Sequence, residues 1–234
     1  MATPKAVIVL SGGLDSTTCM SLAKTEGFEL FPITFHYGQR HAREVEQAKK
    51  IAEYFNVKQH QLINLDFFRQ IGGSALTDSS IDVPREGEEG GIPVTYVPAR
   101  NMIFLSLASA YAEVIGADTI FTGVSSVDYS GYPDCRPEFI ESMNRTINLA
   151  TKTGVTDHSL VIRTPLMHLT KAETVKLGTK LGAPYQLTTS CYNGGEKACG
   201  VCDSCRLRIK GFQEAGLVDP IPYQIPIEWT TIAN

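Results

Sequence analysis

Val7-Ile8-Val9-Leu10-Ser11-Gly12-Gly13-Leu14-Asp15-Ser16-Thr17-Thr18 sets the reading of the whole chain. Its first four residues are an unbroken aliphatic run, as expected of a strand buried on both faces of a parallel sheet. Ser11-Gly12-Gly13 breaks the run, and a helical pattern follows from about Asp15 to Lys24, stopped by Gly27. Strand, glycine turn and helix in this order make an anion site. Gly12 and Gly13 permit positive φ and let a ligand approach the backbone closely. Successive N–H groups then form a concave nest, and the helix N-terminus aims it at negative charge. Ser11, Ser16, Thr17 and Thr18 offer hydroxyl donors beside it. The loop also falls at the carboxyl end of a strand, where open α/β sheets bind ligands. It lacks the lysine of a Walker A loop and does not spell GxGxxG. A plain glycine turn with an Asp/Ser helix cap is the alternative reading.

Outward from this unit, strand and helix keep alternating. Leu30 to His36 and Gln59 to Leu65 read as strands, with a helix over Glu44 to Phe55 between them. Its apolar face is Val45, Ala48, Ala52 and Phe55, and Glu46 pairs with Lys50 at i,i+4. From Ser74 to Val97 the pattern fails, which in a compact domain marks a lid or disorder. Asn101 to Val114 is apolar almost all round and predicts a buried helix with Asn101 as N-cap. Thr119 to Thr122 and Leu160 to Ile162 predict strands around a helix over Glu138 to Ala150. Thr170-Lys-Ala-Glu173 is a capping box opening a helix that Gly182 closes. The alternation predicts an α/β fold: an open parallel sheet with helices on both faces. Residues 1–185 are expected to form the α/β domain that carries the glycine loop, and 186–234 a small helical segment with the clustered cysteines and a proline-containing tail. The sequence does not show the oligomeric state, although residues 220 to 229 of that tail could pack on a neighbour; a homodimer is the expectation.

The chain has 234 residues, 43% hydrophobic and 20% charged, with a formal net charge of -4. At about 150 residues per domain, that length holds one large domain and an appendage. A core of this size needs no disulfides. The acidic balance argues against coating nucleic acid or an acidic membrane by bulk charge. No apolar run approaches the roughly 18 residues of a membrane span, and Ala6 to Leu10 is too short for a signal peptide. A cytoplasmic protein with no nucleic-acid partner is expected. There, clustered cysteines bind metal more often than they form disulfides.

Cys19 and Cys135 stand alone, whereas Cys191, Cys199, Cys202 and Cys205 crowd together. Two-residue gaps let a tight turn present neighbouring sulfurs to one ion, and four thiolates suit tetrahedral Zn²⁺ at about 2.3 Å. With no open coordination position, one such zinc per chain is structural. An iron–sulfur cluster and a redox pair are the alternatives. Lys197, Arg206 and Arg208 are the cations expected to offset the thiolate charge.

Ser11 to Thr18 resembles the SGGxDS loop of the PP-loop ATP pyrophosphatases, a superfamily with an adenine nucleotide α-hydrolase-like fold. Three further segments sharpen the resemblance. They are Phe35-His-Tyr-Gly-Gln-Arg-His41, Thr122-Gly-Val through Asp128-Tyr-Ser-Gly-Tyr-Pro-Asp-Cys-Arg136, and Cys191-Tyr-Asn-Gly194. With the cysteine spacing, the chain resembles the 7-cyano-7-deazaguanine synthase family of the queuosine pathway from about Ala6 to Gly211. Ala99 stands where glycine or another small residue is expected.

The resemblance implies ATP binding along Leu10 to Met20, Cys19 included, with Asp15 working with Mg²⁺ beside the phosphates. It implies ATP-dependent conversion of 7-carboxy-7-deazaguanine and ammonia to the nitrile, through an adenylated carboxylate and then an adenylated amide; a tRNA sulfurtransferase with the same loop and a non-catalytic, zinc-stabilised nucleotide-binding protein are the alternatives. Lys171, a cation at a helix start, opposes the helix dipole and so points to an anion such as phosphate. Tyr37, Gln39 and Arg40 end the second strand, where the family places nucleotide or substrate contacts. Arg100 and Asn101 are set to contact nucleotide or substrate, or else to cap a helix and pair at the surface. Asp128, Tyr132, Asp134 and Arg136 are candidates to read the deazapurine, the carboxylates its N–H donors and Arg136 its carboxylate. Cys135 and Cys19 are expected to be ordinary buried thiols.

Overall fold

The computed structural model describes residues 3–39, 43–78, 80–83, 91–127, 131–156 and 159–229. Five parallel strands, β1 (Lys5–Val9), β2 (Glu29–His36), β3 (Gln61–Asn64), β4 (Thr119–Phe121) and β5 (Val161–Arg163), form one sheet in the order β3-β2-β1-β4-β5. Val7 sits opposite Phe31 on one side and Ile120 on the other, so β1 is the central strand. The helices are α1 (Leu14–Thr25), α2 (Arg43–Tyr54), α3 (Phe67–Ile71), α4 (Arg100–Ile115), α5 (Pro137–Ala150), α6 (Lys152–Val155), α7 (Lys171–Lys180) and α8 (Asp203–Ala215).

The period-2 pleat of β1 divides the core. Ala6, Ile8 and Leu10 pack with Cys19, Met20 and Ala23 of α1 and Ala48, Ile51 and Ala52 of α2. Val7 faces the other way, into a cluster with Phe104, Leu105 and Ala108 of α4 and Ile140, Met143 and Ile147 of α5. Both faces of the sheet are therefore covered, as the all-apolar reading of β1 requires. After β3 the chain crosses back to the other side of β1, so the strand order reverses between β1 and β4. That switch point opens a crevice at the strands' carboxyl ends.

Three sequence expectations change. Asn101 is not the N-cap of α4: the helix begins at Arg100, and Ala99 precedes it with φ 56°, in the left-handed region. The strain of that φ on a residue with a Cβ explains why glycine is the residue expected there. The Asn101 N–H is instead satisfied at 2.9 Å by Oδ2 of the buried Asp134, a cap supplied from a distant loop. Secondly, the ends of the 74–97 insert are packed. Ser74, Ala75, Leu76 and Thr77 are buried, the Ala75 N–H donates to Val94 O, and Thr95 accepts from the Tyr132 hydroxyl at 2.8 Å. Thirdly, the tail lies on its own chain. Tyr223 bridges to Ala198, the Gln213 amide donates to Glu228 O, and Trp229 packs near Leu14, Val175 and Phe212.

A buried ion pair ties this tail down. Arg208 is 2% exposed, and its guanidinium donates to both oxygens of Asp219, at 2.6 and 2.9 Å. It also reaches the Thr188 hydroxyl and Tyr185 O, while Tyr223 donates to Asp219. Every polar end is met, so the pair specifies one arrangement of α8, the tail and residues 185–188. Removing one partner of such a pair costs about 3–5 kcal/mol, because the other charge stays buried. Asp219→Ala is therefore expected to lower stability by that amount in urea unfolding, and Arg208→Met added to it is expected to recover part of the loss. A double variant weaker than Asp219→Ala alone would contradict this.

Candidate active site

The glycine loop leaves β1 at the crevice, and its geometry follows from two close approaches. Gly12 has φ 82°, and a Cβ there would lie 2.2 Å from the Glu44 carbonyl oxygen at the start of α2. Gly123, just past β4, packs so closely that a Cβ would sit 2.9 Å from the backbone of Asp15. Only hydrogen fits at either place, so the loop is clamped between α2 and the end of β4. Gly13 caps α1 without any side-chain hydrogen bond, which leaves the leading N–H groups of the helix for an anion.

The hydroxyls divide by helix period. Ser11 and Ser16 line the cleft and bond each other at 3.0 Å. Thr17 and Thr18 are fully buried and donate to the carbonyls of Gly13 and Leu14, four residues back. They brace the helix and are not donors to a ligand, which corrects the expectation for them. Cys19 and Met20 face the core, and burial pushes the Cys19 thiol well above its usual range. Of Leu10 to Met20, the cleft is lined by Leu10, Ser11, Gly13, Leu14, Asp15 and Ser16.

Lys171 opens α7, whose capping box is complete: Thr170 accepts from the Glu173 N–H, and Glu173 accepts from the Thr170 N–H. Against the helix dipole, the Lys171 ammonium crosses to α1 and meets both Asp15 oxygens, at 2.8 and 2.9 Å. The pair stands at the mouth of the glycine loop, its Asp15 side chain 36% exposed to the cleft.

This cleft encloses about 290 Å³ and adjoins a smaller one of about 110 Å³. Tyr37, Glu44, Arg100, Tyr132, Thr189 and Tyr192 line both, so they form the seam between the compartment at the glycine loop and an aromatic one. The Arg100 guanidinium lies 5.4 and 5.9 Å from the ring centroids of Tyr37 and Tyr132 and donates to the Tyr37 hydroxyl at 3.2 Å. It is a fixed cation held on ring faces. Burial pushes the Tyr37 phenol up to about 12, offset in part by Arg100, and also raises the Tyr192 phenol well above its usual range. Phe35 and Phe104 stack at 4.1 Å beside the larger cleft and give it an apolar floor.

Behind the smaller cleft, Cys191, Cys199, Cys202 and Cys205 are all buried, with their sulfurs within 4.8 Å of one another. Tetrahedral ligands at about 2.3 Å from one ion stand about 3.8 Å apart, and Cys199 Sγ to Cys205 Sγ is 3.9 Å. The N–H groups of Cys199, Val201 and Cys202 point at sulfur, as is usual around bound thiolates. The residues therefore fit one metal ion. Arg208 does not offset its charge as expected, because Asp219 holds that guanidinium. The cluster reaches the cleft directly. Cys191 and Thr189 line it, and the Thr189 N–H donates to Gly12 O at 2.9 Å, joining the cysteine segment to the glycine loop.

Comparison with known proteins accords with this geometry. The family model described as "Queuosine biosynthesis protein QueC" matches residues 5–216. The chain belongs to the QueC family. The 7-cyano-7-deazaguanine synthase of Oceanobacillus iheyensis is 61% identical, over 95% of this chain and the whole of that protein. That of Acetivibrio thermocellus is 59% identical over 94% of this chain and 97% of the relative. Solved structures overlay more loosely: an NMN synthetase from Francisella tularensis has a TM-score of 0.47 at 17% identity, covering 86% of this chain and 69% of that one.

The remaining candidates in this QueC member fall into three groups. Tyr37, Gln39, Arg100, Asn101 and Tyr132 line the clefts. Asp134 and Arg136 do not: the first is spent on capping α4, and the exposed second donates to Pro133 O. Arg40 and Asp128 lie outside the described residues. Cys135 borders the larger cleft as an acceptor for the Asn101 amide, its thiol pushed up to about 11 by burial and Asp134. Glu44, Thr189 and Tyr192 were not singled out from sequence. Their signal was topological: helix starts and loops at the strands' carboxyl edge face one crevice. Among the described residues no helix is long and apolar enough to cross a membrane.

Proposed function

We propose that this QueC protein converts 7-carboxy-7-deazaguanine and ammonia to 7-cyano-7-deazaguanine, using one ATP for each oxygen removed. The observation that carries the reading is the shared seam: an aromatic compartment with a fixed guanidinium opens directly onto the glycine loop. A planar ring stacked there meets the α-phosphate of a nucleotide on the loop. Carboxylate and amide oxygens are poor leaving groups, so each must first be joined to AMP. The loop and the start of α1 hold the departing pyrophosphate with preorganised N–H dipoles. Asp15 is the residue to hold Mg²⁺ with the phosphates, and that ion supplies charge neutralisation on the leaving group. On nucleotide binding the Asp15–Lys171 pair separates, Lys171 turning to phosphate oxygens. Arg100 faces the substrate carboxylate. The four cysteines hold zinc, closed to further ligands, so its part is structural.

The test is incubation with ATP, Mg²⁺, ammonium and the carboxylate, with mass detection of the nitrile. Nitrile formation with AMP and pyrophosphate release is expected. Turnover stimulated by tRNA and not by the carboxydeazaguanine would overturn the substrate.

A further inference from the structure

Between ammonium and a nitrile, every proton must leave one nitrogen, so the reaction proposed above needs a base beside that atom. Among the described residues lining the two clefts the carboxylates are Asp15 and Glu44, and no histidine is present. Asp15 is held by Lys171 at the phosphate end. Tyr37 and Cys135 are kept protonated at neutral pH by burial, and Tyr192 is a phenol, a group that ordinarily titrates at about 10. Asp134 faces away, onto the first turn of α4.

Glu44 is differently placed. Its backbone carbonyl rests on Gly12, which roots the residue beside the glycine loop, and the residue, half-buried as a whole, lines both clefts. It is therefore at the seam, where an acyl carbon joined to AMP has to lie. Gln39 hydrogen bonds to it, and the Arg100 guanidinium acts on its charge. We propose that Glu44 is the catalytic base that takes protons from the nitrogen in both stages of the reaction.

The chemistry balances at each stage. In the first, Glu44 accepts a proton from ammonium, and the freed lone pair attacks the acyl carbon. The C–N bond forms, nitrogen loses a further proton, and the C–O bond to AMP breaks to leave the amide. In the second, the amide oxygen is adenylated and nitrogen gives up a proton. Glu44 then takes the last N–H proton. That electron pair becomes the third C–N bond as the C–O bond to AMP breaks. Each proton passes from Glu44 to solvent through the open cleft before the next is taken. Burial raises the Glu44 carboxyl above the ordinary carboxylate range, with Arg100 and Gln39 opposing the shift, and a raised carboxyl is the stronger base once ionised.

The inference rests on the proposed reaction, and one experiment separates the two. Wild type, Glu44→Gln and Glu44→Ala are compared in carboxylate-dependent ATP–pyrophosphate exchange, which needs no ammonia, and in nitrile formation. For Glu44→Gln, nitrile formation is expected to fall at least about a hundredfold more than exchange, with adenylate accumulating in quenched single turnovers. Added formate is expected to restore part of the nitrile rate in Glu44→Ala. Exchange also reports that the variants are folded. If both rates fall together with a raised KM for the carboxylate, Glu44 reads the ring and is not the base. If Glu44→Gln makes nitrile normally, it has no role. A wild type that makes no nitrile overturns the reaction itself.

Discussion

Asp15→Ala is expected to cut nitrile formation to about one-thousandth or less while fold and bound metal persist. Loss of a single group stabilising developing charge commonly costs about 10²–10³ in kcat. Asp15 lies at the upper end because both stages pass through pyrophosphate departure at the same loop. The stability change is expected to be small. Its pair with Lys171 faces the open cleft, with the Asp15 side chain 36% exposed, and such pairs contribute about 0–1 kcal/mol. Lys171→Ala is expected to lose activity to a similar degree. Because the two side chains meet at 2.8 Å and act on one set of phosphates, the double variant is expected to be little worse than either single one. Steady-state nitrile rates for the four proteins, with unfolding curves and metal content beside them, check this. Multiplicative losses would mean that the residues act independently; unchanged turnover in Asp15→Ala would remove it from the mechanism.

The fold was legible because its physical causes are local. A buried parallel strand must be aliphatic throughout, and Val7 to Leu10 is; a capping box needs residues three apart, and Thr170 and Glu173 close it as read. What was not legible depends on approach from far along the chain. Asn101 looked like an N-cap because the sequence places it before an apolar helix, yet Asp134 supplies the cap from a later loop. Arg208 looked like a counter-charge to nearby thiolates, yet its partner Asp219 comes from the tail. Thr17 and Thr18 belong to the motif by spelling but turn inward by helix period. Glu44 carries no motif of its own and read as one residue of an amphipathic helix. Only the clamp of its carbonyl on Gly12 brings it to the cleft.

Removing the metal is expected to disable the site as well as the segment that carries it. The four sulfurs span residues 191 to 205, and that stretch alone buries few apolar side chains besides the cysteines. A metal held there would then supply most of what orders it, since apparent free energies for structural zinc reach about 10–16 kcal/mol in small peptides. Here part is replaced by the packing of α8 on α7 and by the Arg208–Asp219 pair, so the loss is smaller. A loss of about 5 kcal/mol moves the Tm of a domain this size down by roughly 10–20 °C. The consequence for the cleft follows from chain connectivity. Thr189, Cys191 and Tyr192 form one wall, and Thr189 is the residue that bonds Gly12 O. When Cys191 is released, that wall and the loop contact loosen together. Cys202→Ser, or treatment with a zinc chelator, is therefore expected to lower Tm by that amount and to abolish carboxylate-dependent pyrophosphate exchange. Readdition of zinc is expected to restore both in the chelated wild type. Elemental analysis should find one zinc per chain; iron with acid-labile sulfide would reassign the metal. Full exchange activity in a metal-free protein would show that the cysteine segment does not shape the cleft.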